Sequence, residues 1–96
     1  MEISLDYSKA KRQADNLEQC ANDMLRQSRE VGSIIADIRS VWQGETAGAY
    51  IKKLQALETE LRENANKCSK DAIAFRAKIS ALKKADEEAR RVIESD

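Results

Sequence analysis

From Ala10 onward, small or apolar residues recur at Ala14, Leu17, Ala21, Met24, Val31, Ile35, Ile38 and Trp42, and only Ser28 interrupts an alternating spacing of four and three. A stripe with this period lies along one side of a continuous α-helix, where another helix has to cover it. The chain contains no proline, so nothing of that kind breaks the helix from within. Asp6 precedes the stripe, where its carboxylate can accept from the first free backbone amides and complement the helix dipole. The spacing predicts a first helix over about residues 7–41.

Gly32 lies inside that helix and costs about 1 kcal/mol relative to alanine, a loss that close approach of another backbone would explain. It reads as a packing notch. After Gly44 the stripe resumes at Ala47, Tyr50, Leu54, Leu57 and Leu61, steps by four to Ala65, and continues through Cys68, Ala72, Phe75, Ile79 and Leu82. The two successive four-residue steps at 57–61–65 read as a stutter, which relaxes a supercoil locally. With Thr46 as its cap, the second helix is expected over about residues 46–93, roughly 70 Å long against roughly 50 Å for the first.

The connection, Gln43-Gly44-Glu45 within a turn over residues 42–45, is too short for anything but antiparallel neighbours. The fold class is therefore all-α: a single domain over residues 1–96 that forms an antiparallel helical hairpin. Its seam is built from Leu17, Met24, Val31, Ile35, Ile38, Leu54, Leu57, Leu61, Phe75 and Ile79. A lone hairpin covers one stripe per helix, and chains of this size are marginally stable even when globular. Ile34, Val41 and Leu25 widen the apolar face toward the loop, so the expected product is a dimer closing into a four-helix bundle, from two copies or from this chain and a relative.

Composition narrows the function. Seventeen basic and seventeen acidic residues cancel and are interspersed, which leaves no basic patch for nucleic acid. There is no histidine, which removes Ser-His and Cys-His nucleophile pairs, His-based metal sites and the Glu-x-x-His ligands of di-metal bundles. Glu58, Glu60, Glu63, Asp86, Glu87 and Glu88 fall on outer faces among lysines and arginines, as solvated ion pairs do. Neither an enzyme, a cofactor, a metal nor a small-molecule substrate is expected. The start of the chain, Met1 to Asp6, has neither the charge nor the apolar run of a signal peptide, and no apolar stretch approaches the ~20 residues that span a bilayer. Lys83-Lys84 and Arg90-Arg91 are interleaved with acids, so they give a membrane surface little to attract.

Trp42 and Gly44 stand out: the only tryptophan ends the first stripe, two residues before the chain reverses. On spacing alone, Trp42 plugs the seam and Gly44 supplies a backbone angle that ends a helix. The wider pattern, Trp42-Gln43-Gly44 with Ala47 and the aromatic Tyr50 following, resembles the WxG family of small early-secreted-antigen-like proteins of type VII secretion. The resemblance covers nearly the whole chain, with a mid-chain motif and a heptad helix on each side. It implies head-to-tail dimerisation with itself or a related WxG-like chain. It also implies recognition by the type VII secretion ATPase, and an export signal split between the turn (Trp42, Gly44, Tyr50) and the partner's second-helix end. The protein would be made in the cytoplasm and secreted without a cleavable signal peptide.

The Tyr-x-x-x-Asp/Glu tail of many family members is absent, because no tyrosine follows residue 50. A looser tail pattern of the family is matched by Leu82, Asp86, Ala89 and Ile93, which share one helix face; they are equally a continuation of the stripe. Without a tail signal the chain would act as a helper that binds the helical leader of a larger toxin. A cytoplasmic coiled-coil scaffold is the reading from a different class. Cys20 and Cys68 lie at equal sequence distance from Gly44, which leaves a cross-helix disulfide or a pair of buried thiols open.

Overall fold

The computed structural model describes residues 6–95. α1 spans Tyr7–Val41 and α2 spans Glu45–Glu94, and no strand occurs among the described residues. The helices pack along one another into a rod with principal extents of 79 × 18 × 15 Å. No described helix is long and apolar enough to cross a membrane.

Each helix end follows from local chemistry. The Asp6 carboxylate accepts from the Lys9 backbone N–H at 3.1 Å, the capping bond expected for α1. α1 ends because Trp42 turns extended (φ −127°, ψ 126°), while its N–H still donates to the Ile38 carbonyl at 2.8 Å. Gly44 does not end α1. It is the residue before α2, and α2 therefore begins at Glu45 rather than behind a Thr46 cap. With no side chain at the cap, Glu45 in the first turn supplies the negative charge that suits a helix start.

All buried positions except Ala47 fall on one heptad position of each helix. In α1 the buried residues are Ala14, Ala21, Ser28 and Ile35, seven apart; in α2 they are Ala65, Ala72 and Ile79, again seven apart, together with Ala47 beside the turn. We call this repeating position the inner row. Its alanines are almost wholly enclosed, Ala14 at 0 % and Ala72 at 1 % exposure, because small side chains let the two backbones approach. Ser28 fits the same row by donating its hydroxyl to the Leu25 carbonyl at 2.8 Å, which leaves no buried hydroxyl without a partner among the described residues.

Two positions of the α2 stripe read from the sequence are corrected. Leu57 is 44 % exposed and Tyr50 is 50 % exposed, whereas Ile51 and Glu58, one residue later, are half-buried and face α1. With these in place α2 reads 47, 51, 54, 58, 61, 65, 68, 72, 75, 79, an unbroken alternation of four and three. The stutter does not exist. It arose because an acid occupies a seam position while a leucine lies beside it. Glu58 is consequently not on an outer face; it is held in the seam by Arg62, whose guanidinium donates to its carboxylate at 2.7 Å.

Gly32 explains how the acid is accommodated. A Cβ at Gly32 would meet the Glu58 carboxylate oxygen at 3.1 Å, and no backbone lies over it. The notch is thus a recess for a flexible side-chain end, not for a close backbone crossing. In Gly32→Ala the carboxylate shifts by a few tenths of an ångström and the helix gains most of the glycine penalty. We expect a net stabilisation of about 0.5 kcal/mol, a rise of about 2–4 °C in Tm. Thermal melts followed by circular dichroism test this, and a lower Tm would mean that the Glu58–Arg62 pair is rigidly seated.

Candidate functional site

Three features of the hairpin carry chemistry that its folding does not consume: the turn, one lateral edge, and the free end of α2.

The turn presents an aromatic pair. Trp42 leaves α1 in extended conformation and comes back over the second turn of α2, where its ring centroid lies 6.1 Å from that of Tyr50 at an interplanar angle of 48°. Tilted pairs at this separation gain from the edge of one ring meeting the face of the other. Trp42 nonetheless remains 42 % exposed, so it is displayed rather than sealed into the seam. Gly44 makes the return sharp enough: its φ of 112° and ψ of 179° are essentially restricted to glycine. Nothing lies within 4 Å of where a Cβ would stand, so the requirement at Gly44 is purely conformational. Gly44→Ala is expected to cost about 1–3 kcal/mol through that strain alone, read as a lower urea midpoint with an unchanged m-value.

The lateral edge arises from the second heptad position, the outer row: Leu17, Met24, Val31 and Ile38 on α1 and Leu54, Leu61, Cys68 and Phe75 on α2. Every one of these residues is only half-buried, and no large side chain of the described chain is fully buried. Apart from Ile35 and Ile79, the enclosed residues are small and the large ones stand partly in water, the reverse of what burial energetics favour in a finished core. In an antiparallel pair the outer rows of both helices lie on the same edge. Ile34, Val41, Tyr50 and Leu57, each one residue before an inner-row position, border that edge and are all exposed. Leu25, four residues after an inner-row alanine, lies on the opposite edge and does not widen this face.

The opposite edge is polar. Arg76 reaches from α2 to α1 and donates to Asp15 at 2.8 Å and to Glu18 at 2.6 Å. These hydrogen bonds hold its guanidinium above its ordinary pKa. The three side chains are 38–70 % exposed, so the cluster contributes alignment more than stability. The hairpin therefore has one charged edge and one apolar edge.

The free end of α2 carries Leu82, Asp86, Ala89 and Ile93. They continue the α2 heptad from the level of the first turn of α1 outward, and nothing among the described residues encloses them: Leu82 is 50 % and Ile93 is 74 % exposed. Asp86 is half-buried, with Arg90 one turn on at 3.8 Å. The four share a face, but they lie at the end of the rod opposite Trp42, Gly44 and Tyr50. A single chain thus does not bring the two groups together. The residue signal that sequence reading missed was the size segregation itself, alanine at the same heptad position in Ala14 and Ala21 of α1 and in Ala65 and Ala72 of α2.

Among the described residues no group of three or more His, Cys, Asp or Glu is placed to hold a metal ion. No known protein family, no curated protein and no solved structure matches this chain.

Proposed function

We propose that this protein is a WxG-like substrate or adaptor of a type VII secretion system that acts by helix-mediated assembly and by displaying an export signal. The observation that carries the reading is the turn. A tryptophan and a tyrosine are paired at an exposed hairpin tip, and they are set there by a glycine in a glycine-only conformation. Folding alone gives no reason to leave the largest side chain of the chain so open.

Assembly follows from the apolar edge. A second hairpin laid on the outer rows would enclose the half-buried leucines, valine, isoleucine, methionine and phenylalanine and complete an antiparallel four-helix bundle. If the second hairpin runs head to tail, its α2 end comes to the Trp42 turn. Leu82, Asp86, Ala89 and Ile93 of one chain then lie beside Trp42, Gly44 and Tyr50 of the other. The composite surface is the feature that the secretion ATPase would read, on a protein made in the cytoplasm and exported without a cleavable signal.

The test is export from the type VII-competent host. Wild type expressed alone is expected in the culture medium, and Leu82→Ala with Ile93→Ala is expected to reduce it without changing the melting curve, since both side chains are exposed. The helper reading draws on the same open edge, which accepts the helical leader of a larger toxin as readily as a second copy. In that case wild type reaches the medium only when the toxin is co-expressed. A cytoplasmic scaffold would be retained under both conditions.

A further inference from the structure

We propose that Cys20 and Cys68 form an intramolecular disulfide when the protein meets an oxidising thiol–disulfide environment, locking α1 to α2 about midway along the rod. Both thiols are free in the present state, Cys20 exposed and Cys68 half-buried in the outer row. Cys20 directly precedes the enclosed Ala21 and Cys68 follows the enclosed Ala65 by three residues, which puts both thiols on the outer-row edge at one level of the hairpin. The two backbones are drawn together by the inner row at the same level, where the neighbouring Ala21 is 3 % and Ala65 is 1 % exposed. Close approach of this kind is what the ~4.4–6.8 Å Cα separation of a disulfide demands.

The sequence around the pair is consistent with a reactive couple. Cys20 stands on the apolar edge with solvent access, as an attacking thiol must. Burial, together with the neighbouring Cys20 and Asp71, raises the Cys68 pKa. The closure therefore begins at Cys20: its thiolate attacks a small-molecule disulfide such as oxidised glutathione and expels one thiol. Cys68 then loses its proton and attacks the Cys20 sulfur, the second glutathione leaves, and the Sγ–Sγ bond forms. Two S–H bonds are lost, and the two electrons reduce one glutathione disulfide to two thiols. The step needs no export machinery and stands apart from the secretion reading, although an exported protein would meet such conditions.

Reduced protein incubated with oxidised glutathione at about pH 8.5, where thiolates are populated, is examined by intact mass spectrometry and a non-reducing gel. The expected product is a monomer lacking two hydrogens, with no glutathione attached and faster gel migration. Its Tm should rise by roughly 10–20 °C, as closing a long loop predicts. Cys20→Ser and Cys68→Ser should each retain a single glutathione instead. Wild type that accumulates glutathione adducts, cross-links between chains, or keeps both free thiols would overturn the proposal.

Discussion

The wild-type protein is expected in solution at twice its chain mass, and Val31→Glu combined with Leu61→Glu is expected at 10.8 kDa, with loss of most of its helical circular dichroism. Both residues belong to the outer row, both are half-buried in the hairpin, and neither supports the enclosed alanine row. In an isolated hairpin a glutamate at either site could turn to water at little cost. Between two hairpins the same carboxylates would be buried without partners, which weakens association by more than about 3 kcal/mol, or more than ~100-fold in Kd. Helicity falls with it because a single two-helix layer is marginal on its own. Light scattering with circular dichroism on one sample decides the matter. A variant with wild-type mass and wild-type melting would mean that the apolar edge is not where chains meet, and a wild type that is folded and monomeric would remove the dimer altogether.

Trp42→Ala is expected to lower export at least tenfold while leaving the assembled mass unchanged. Losing the ring pair with Tyr50 costs about 0.5–1.5 kcal/mol, and the exposure of Trp42 limits the further loss from burial. That stability change is too small to unfold an assembled bundle, so a large export defect would have to come from recognition. Gly44→Ala cannot make this distinction, because it strains the backbone directly. Tyr50→Ala supplies the control: it removes the same ring pair and leaves the tryptophan displayed. Export unchanged in Trp42→Ala would dispose of the turn as a signal, and equal defects in both variants would indicate that the paired geometry is what is read.

The heptad stripe made the helices, the hairpin and the start of α1 legible, because each depends on local spacing and a single cap, Asp6. The α2 seam was misread wherever polarity and burial part company. Glu58 looks like a surface acid, yet it occupies a seam position because Gly32 leaves room and Arg62 neutralises it; Leu57, the apolar neighbour, fits the stripe better by polarity alone. The role of Gly44 was likewise assigned to the wrong helix, since a glycine after a helix resembles a C-terminal stop until the extended Trp42 is seen. Of the candidate site, the turn residues could be named from sequence, but the open edge could not. Which of two heptad positions is enclosed depends on how closely the backbones approach, and alanines at Ala14, Ala21, Ala65 and Ala72 set that distance.

The hairpin's connectivity also determines how the molecule responds to traction. α1 packs against α2 alone, and both helix ends away from the turn lie toward the same end of the rod, with α2 projecting beyond α1. A pull on the α2 terminus against a held α1 terminus therefore loads one packing layer at a time, and the chain unzips toward Trp42 at low force instead of resisting as a unit. Drawn through a narrow passage tail first, the hairpin is stripped layer by layer from its open end. A bond between Cys20 and Cys68 would arrest that peeling partway, so a hairpin drawn out in this way would have to carry both thiols reduced.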